Sequence, residues 1–309
     1  MIRAEDLDRL ACPDCPGAAL DGSGARGERG RLTEGALVCS SCGTAFSIEE
    51  GVPWLMPSAL QGARRHGAET FPEEWRRWGE RLDGFRDWRA RTWVAADASE
   101  RRSSAGVAER RRDAFAAFCG VLRGRSLEVA CGDGHLRHAR GFRAGEYWGI
   151  DPMPVAGREY DFPFVAGVGE RLPFRAGVFD AVLVKDSLHH FQDPARFLDE
   201  ARRVTSPGGR LLVCQGIETA GAEGSSPRGS MLLRRASTAL KLLLSGDLGG
   251  FRDRAARALR SPARGAGSEG EEPFVWHLKR EDVEFEVRRR YEVRESRLEG
   301  NVLYLEGLA

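Results

Sequence analysis

Four of the seven cysteines in this 309-residue sequence are paired at a spacing that suits metal binding. Cys12 and Cys15 form one C-x-x-C pair, Cys39 and Cys42 form a second, and both pairs lie in turns of small residues. Two such pairs supply the four thiolates of a closed tetrahedral Zn²⁺ site. Because no ligand position stays open, we predict that the metal is structural; the alternative is two unrelated redox or surface pairs.

A second candidate site is "LEVACGDGHL", residues 127–136, where an apolar run meets a loop containing Gly132 and Gly134. A dinucleotide-binding fingerprint needs a third glycine, and Arg137 stands in its place. A P-loop is also excluded, because no Gly-Lys-Ser/Thr follows. The loop therefore lacks the usual cradle for a diphosphate.

Two acids near this loop indicate what it binds. Asp151 ends the next predicted strand, where a carboxylate can accept hydrogen bonds from both ribose hydroxyls. Glu128, inside the first strand, suits a cationic ligand or binds the amides of the loop. A ribose, a positive centre and the lack of a diphosphate together predict S-adenosylmethionine.

The elements that position these residues alternate along the chain. We predict a helix over 99–122, then strand "SLEVAC", the glycine loop with a helix, strands "YWGID", "FVAG" and "FDAVLVK", a helix over "PARFLDEARRV" and strand "RLLVCQG". Strands separated by helices favour an α/β fold with a parallel sheet. The C-terminal stretch "EFEVRRRYEVRESRLEGNVLYLEGL" predicts two antiparallel strands.

Five segments follow from this pattern: a zinc ribbon over 1–57, an aromatic-striped helical linker over 58–98, a cofactor-binding core over 99–216, a basic helical insertion or lid over 217–272, and C-terminal strands over 273–309. Within the ribbon, "DGSGARGERGRL" predicts a hairpin tip, and short strands should end at Pro53 and Pro57. Cys119, Cys131 and Cys214 lie in apolar surroundings and should be buried thiols.

The composition excludes some classes of function. Lys and Arg number 47 against 46 Asp and Glu, so the overall charge gives no reason to expect a nucleic-acid partner. No apolar stretch reaches the length of a membrane span, and acids occupy the N-terminal region where a secretory signal would be apolar. The sequence therefore predicts a cytoplasmic protein.

The order of these motifs resembles the class I S-adenosylmethionine-dependent methyltransferases, in particular the ubiquinone-biosynthesis-like branch (methyltransferase type 11). The resemblance covers about 125–215 and is carried by "LEVACGDG", "GIDP", "ERLPFRAGVFDAVLVKDSLHHFQDP" and "EARRVTSPGGRLLV". It implies a Rossmann-like sheet, parallel with an antiparallel C-terminal hairpin, beside the small N-terminal zinc ribbon. It also implies that the chain is an enzyme.

The resemblance assigns cofactor contacts residue by residue. Gly132 and Gly134 would pass under the methionine moiety, Asp151 would bind the ribose, and Glu128 would order the loop or its ligand. Two positions depart from the family pattern, since Ala130 replaces the first loop glycine and Val168 replaces an Asp that reads the adenine amino group. The adenine edge would then be held by Gly169 and Glu170; Lys185 completes the predicted cofactor site.

Candidates for catalysis follow the fourth predicted strand, in "KDSLHHFQDP". In this fold the loop faces the transferred methyl group, and a general base there assists a hydroxyl nucleophile. Asp186, His189 and His190 are the candidates. The structural alternatives are helix capping for Asp186 and a helix-start role for one histidine.

The acceptor stays open between several classes. A small molecule (a natural-product, nucleotide-like or cell-surface saccharide metabolite, with an anionic one among the options) methylated on O or N is favoured. The ribbon resembles modules that accompany rRNA and tRNA methyltransferases, which makes an RNA base the alternative. The basic insertion fits an anionic acceptor, an RNA backbone, an anionic membrane surface or a solvated lid. Phe251 is the only aromatic residue in its sequence, which disfavours RNA. A non-catalytic, partner-binding scaffold is the remaining class.

Overall fold

A computed structural model describes residues 1–28, 30–60, 98–154, 158–217 and 277–309. The predicted aromatic stripe in the linker and nearly all of the basic insertion lie outside these residues. None of the described helices is long and apolar enough to cross a membrane.

The N-terminal unit is a small antiparallel sheet. After a 3-10 helix (Ala4–Arg9), the sheet contains β1 (Leu20–Asp21), β2 (Arg26–Glu28), β3 (Arg31–Cys39), β4 (Ala45–Glu49) and β5 (Val52–Pro53). Its strands follow the order β1-β3-β4-β5, and β2 forms a hairpin with β3. The polar, glycine-rich stretch is thus a hairpin, as predicted.

The second unit is a seven-stranded sheet. Its strands are β6 (Val121–Val129), β7 (Arg143–Asp151), β8 (Phe164–Ala166), β9 (Phe179–Lys185), β10 (Thr205–Gly216), β11 (Glu292–Glu299) and β12 (Val302–Leu308). They follow the order β11-β12-β10-β9-β6-β7-β8. The five neighbouring strands β10, β9, β6, β7 and β8 are parallel to one another. Strands β11 and β12 form the antiparallel hairpin that the sequence predicted.

Helices cover both faces of this sheet. On one face, α1 (Ala98–Cys119) buries Phe115 among strand residues that include Leu183 and Tyr304. On the other face lie α2 (Pro194–Val204) and α3 (Arg280–Arg288), whose buried side chains pack with alternate residues of the same strands. Alternation of side chains along a strand explains why neighbouring residues enter different cores.

Three predictions about elements were wrong. The helix predicted over 99–122 ends at Cys119, and β6 already begins at Val121. After the glycine loop the chain forms only one 3-10 turn, His135–His138, before β7 begins. The segment "EFEVR" belongs to helix α3 and not to a strand. Val283 and Val287, four residues apart, are both buried, and Arg280 pairs with Glu284 at 2.6 Å, so helical spacing prevails over the alternating pattern.

The ribbon docks on the edge of the large sheet. Trp54, directly after β5, forms a parallel bridge with Ala166 of β8, while its amide donates to Ser47 of β4 at 2.8 Å. Leu10 forms an antiparallel bridge with Phe174. The outgoing strand Val52–Trp54 therefore contacts both sheets, and the apolar core continues from the ribbon onto the sheet.

Candidate functional site

The four cysteines of the ribbon converge. The Sγ atoms of Cys12, Cys15, Cys39 and Cys42 all lie within 4.8 Å of one another, and those of Cys12 and Cys42 are 4.0 Å apart. Tetrahedral zinc with Zn–S bonds of about 2.3 Å requires sulfur–sulfur distances of about 3.8 Å. The donor set and its spacing fit a structural Zn²⁺ ion.

Local backbone geometry shapes the second cysteine pair. Gly43 has a φ of 71°, which lets the chain turn back so that its amide donates to the Cys39 carbonyl at 3.0 Å. The amides of Ser41 and Cys42 point at Cys39 Sγ at 3.4 and 3.5 Å. Amides directed at a sulfur stabilise a thiolate, as metal binding requires.

The glycine loop is held open by left-handed backbone. Ala130, Gly132 and Gly134 have φ values of 58°, 57° and 77°. A Cβ on Gly132 would meet no atom within 4 Å, whereas one on Gly134 would lie 2.6 Å from the ring of Phe162. Gly132 therefore leaves open space above the loop, while Gly134 is required by packing. The alanine adopts a conformation that favours glycine.

Asp151, the last residue of β7, is hydrogen-bonded to this loop, a contact that the sequence did not predict. Its Oδ2 accepts from the Gly132 amide at 2.9 Å, and its Oδ1 accepts from the Met153 amide at 2.8 Å. The side chain is 5% exposed. Amide donation fixes the carboxylate at the carboxyl end of β7, where its remaining lone pairs suit the hydroxyls of a ribose.

Glu128 has a partner that the sequence did not reveal. Its carboxylate accepts from the Tyr147 hydroxyl, so the contact lies between β6 and β7 and not at a loop amide. Burial raises the pKa of Glu128 to about 7, with smaller contributions from Asp151 and Asp133, while Tyr147 and Lys185 act in the opposite direction. Asp151 and Asp133 thus place negative charge near the loop, to which Glu128 adds when it is ionised, and this charge favours a cationic ligand.

The end of β8 is covered by the ribbon. Val168, which stands where the family pattern has an adenine-reading Asp, is 1% exposed and packs with Met56 and Leu60. Gly169 and Glu170 form a 3-10 turn, and Glu170 Oε1 accepts from the Gln192 amide at 2.6 Å. The departure at Val168 therefore coincides with apolar cover supplied by the fused ribbon.

The end of β9 carries a charged cluster. Asp186, with a φ of 48°, binds Lys185 Nζ at 2.7 Å and Arg111 of α1 at 3.1 Å. Its side chain is in ion pairs and is not a helix cap; Asp193 caps α2 by accepting from the Arg196 amide at 3.1 Å. The ion pair of Arg111 with Asp186 was not predicted, because the two residues lie 75 positions apart in the sequence. The basic run in α1 is the only feature of the sequence that points to it.

The two histidines stand beside this cluster. His189 and His190 belong to one 3-10 turn, Leu188–His190, and their ring centroids are 4.0 Å apart. Buried Gln215 of β10 orients His189: its Oε1 accepts from the Leu188 amide and its Nε2 donates to the Gly216 carbonyl, both at 2.9 Å. Gln215 was not predicted, because nothing near it in sequence indicates its partners.

This arrangement fixes the tautomer of His189. Gln215 Nε2 also lies 2.9 Å from His189 Nδ1, and an amide nitrogen can only donate. His189 Nδ1 is therefore the acceptor, and the neutral ring carries its proton on Nε2. In this tautomer the Nε2 atom of His189 is a hydrogen-bond donor.

The remaining cysteines are buried, as predicted. Burial raises the pKa of Cys214 to about 12 and that of Cys131 well above its usual range. Cys119 is also fully buried. Thiols that stay protonated in apolar surroundings are poor nucleophiles.

Comparison with known families identifies both units. Residues 127–213 match the family model described as methyltransferase domain, and residues 7–51 match the model described as Trm112p-like protein. The chain therefore contains a class I methyltransferase domain and a Trm112p-like zinc-ribbon domain, in agreement with the resemblance seen in its sequence.

Two curated relatives are demethylmenaquinone methyltransferases. The protein from Mycolicibacterium vanbaalenii is 51% identical over 63 residues, which is 20% of this chain and 28% of that protein. The protein from Streptomyces griseus is 47% identical over 53 residues, 17% of this chain and 23% of that protein. The chain thus matches about a quarter of the length of these relatives.

Among solved structures, the pyocyanin biosynthetic protein PhzM gives a TM-score of 0.44 at 14% identity, over 72% of this chain and 61% of that protein. A protein from Pyrococcus horikoshii gives 0.40 at 20% identity, over 69% of this chain and 92% of that protein. Neither likeness is close enough to support a statement about this chain.

Proposed function

We propose that this chain transfers the methyl group of S-adenosylmethionine to a small-molecule acceptor. The observation that carries the proposal is the loop of Ala130–Gly134, held by Asp151 and surrounded by buried carboxyl groups. When bound, the cofactor supplies an electrophilic methyl group on a sulfonium. The open space above Gly132 leaves room for a ligand beside the loop, and the acids around the loop favour a positively charged one.

The protein contributes alignment and electrostatics. Asp151 would orient the ribose, and Glu128 with its neighbouring acids would favour the positive end of the ligand. Methyl transfer is an in-line displacement, so fixing the acceptor opposite the leaving group supplies most of the acceleration.

The acceptor would bind at the carboxyl ends of β9 and β10. We assign different tasks to the two histidines there: His189, with its proton on Nε2, donates a hydrogen bond to the acceptor, and His190 is the candidate general base. Lys185 and Arg111 share the single carboxylate of Asp186, which leaves net positive charge for an anionic acceptor. This supports the small-molecule, anionic class of substrate.

An RNA base is the second candidate acceptor, and the Trm112p-like match favours it, because the sequence of the ribbon resembles modules that accompany RNA methyltransferases. Affinity for RNA would fall steeply with salt. Filter binding of bulk tRNA tests this candidate. For an RNA methyltransferase, the affinity for tRNA should fall about 100-fold or more between 50 and 200 mM salt. A small-molecule enzyme would retain no RNA at either salt concentration.

Calorimetry with S-adenosylmethionine and S-adenosylhomocysteine tests the proposal. We expect micromolar binding by the zinc-loaded wild type and a loss of about tenfold or more in Asp151→Asn, because a bond to a charged group contributes about 1.5–3 kcal/mol. Asp199→Asn, on an exposed side chain paired with Arg290, is the matched control and should bind as the wild type does. Absence of binding by the wild type would leave the scaffold alternative.

A further inference from the structure

The sheet order places the glycine loop, Asp151 and the end of β8 along one edge, which is the order in which a nucleoside bound as the family resemblance implies would meet them. Strands β6, β7 and β8 are adjacent and parallel, so the loop after β6, Asp151 after β7 and Val168 after β8 are successive points along one edge. The Gly167 amide donates to the Asp151 carbonyl at 3.2 Å, which places the end of β8 beside the ribose-binding acid. With its amino-acid end at the loop and its ribose at Asp151, the ligand directs its base toward β8.

The ribbon supplies the residues found there. Leu55 is fully buried, and its carbonyl oxygen would lie 3.3 Å from a Cβ on Gly167. Met56 and Leu60 then form a buried cluster with Val168, against which Trp54 also packs. The side chains that pack on Val168 are therefore apolar and come from the N-terminal part of the chain, while the buried carboxylate of Glu170 follows two residues after Val168.

A hydrogen bond to the zinc site fixes the position of these apolar side chains. The Ser58 amide donates to Asp14 Oδ2 at 2.9 Å, and Asp14 lies between the two cysteines of the first pair. The Leu60 amide donates to the Pro57 carbonyl at 2.7 Å, which forms a turn at the end of the segment. Met56 and Leu60 are thus positioned by a segment that is bonded to the ribbon, and Val168 is the contribution of the methyltransferase domain.

On the basis of the proposed function, we propose that Met56, Leu60 and Val168 form an apolar end wall for the base of the cofactor, so that the base is selected by shape without a carboxylate that reads its amino group. A carboxylate that accepts from the 6-amino group rejects a 6-oxo base, because the oxo group presents an acceptor to an acceptor. An apolar wall makes no such distinction.

The test compares S-adenosylhomocysteine with S-inosylhomocysteine, its 6-oxo analogue, by calorimetry on the zinc-loaded full chain. We expect their dissociation constants to differ by less than fivefold. A preference of fivefold or more for the adenine compound would overturn the proposal, since a bond to a charged group alone gives about tenfold or more. Binding of neither compound would instead contradict the proposed function itself.

Variants separate the wall from the neighbouring acid. Met56→Ala and Leu60→Ala should weaken both ligands together by about threefold to tenfold, as expected for the loss of a few apolar contacts. Leu32→Ala, buried elsewhere in the ribbon, is the control and should leave both affinities unchanged. Unchanged affinities in both wall variants would show that the ribbon does not line the base site.

Glu170→Gln tests the competing arrangement. If the Glu170 carboxylate reads the amino group, the wild type will prefer the adenine compound and this variant will lose that preference, which would overturn the proposal. If the wall is apolar, wild type and variant will both bind the two compounds within fivefold. Zinc content and thermal unfolding of each variant show whether the fold is intact.

Discussion

The zinc ribbon and the methyltransferase domain are stabilised in different ways, although their apolar cores are continuous. The large sheet buries both of its faces under helices, with fully buried residues such as Phe115, Phe197 and Leu212. The ribbon has short strands, one 3-10 helix and a cluster of four cysteines. The ribbon thus combines a small apolar core, with Leu37 and Phe46 fully buried, and a cysteine cluster that fits a structural metal, whereas the large sheet depends on apolar burial alone.

Removing zinc should produce the largest difference in stability between the two domains. Structural zinc contributes about 10–16 kcal/mol to the folding of small metal domains. After chelation we expect amide protection to disappear in β3 and β4 and to persist in β9 and β10, as measured by hydrogen exchange. Cys119→Ala, a buried cysteine outside the cluster, should retain one zinc per chain, and continued protection of β3 without metal would refute the comparison.

Val168→Asp should have the next largest effect, because it places a carboxylate under Met56 and Leu60. An unpaired buried charge costs about 3–5 kcal/mol, and chemical denaturation of the zinc-loaded protein should show that loss. Val38→Asp, at a valine that is 37% exposed in the ribbon, is the control and should cost about 1 kcal/mol or less. Equal effects at the two positions would mean that the ribbon does not bury Val168 in solution.

The pH dependence of the large domain should follow Glu128. Its native pKa of about 7 lies above the ordinary value of 4.5, so the native state keeps a proton that the unfolded state releases. The free energy of unfolding therefore falls as pH rises through this range, by about 1 kcal/mol between pH 6 and pH 8. Denaturation curves at both pH values should show this loss in the wild type and not in Glu128→Gln, whereas Glu295→Gln, on an exposed side chain, should behave as the wild type.

The smallest effect is expected in the glycine loop. Ala130→Gly relieves a left-handed alanine and should raise the free energy of unfolding by about 0.5–1 kcal/mol. Ala139→Gly, at a φ of −67°, lacks that relief and should lower it by a similar amount. Thermal unfolding of the two variants with zinc bound would show opposite signs; a loss of stability in Ala130→Gly would indicate that the loop changes conformation in solution.

The sequence alone predicted those parts of the fold and of the candidate site whose residues lie close together in the chain. The cysteine pairs, the glycine loop and Asp151 follow from local spacing, and the strands follow from short apolar runs. Tyr147, Arg111 and Gln215 were missed because each acts on a residue 19 to 75 positions away. The docking of Trp54 on β8 was also missed, since backbone pairing between domains leaves no signature in either segment.

The strand that contacts both sheets sets a limit on insertions and deletions. Side chains alternate along a strand, so one added residue between Cys42 and Trp54 would turn Val52 and Trp54 to the opposite faces. Length should vary freely in the exposed hairpin around Arg26–Arg31 and be strictly constant from Ala45 to Trp54. In an alignment of proteins with this fused architecture, we expect the insertions and deletions to lie in the hairpin. A constant spacing after the second cysteine pair would indicate that the contact between the two domains is retained.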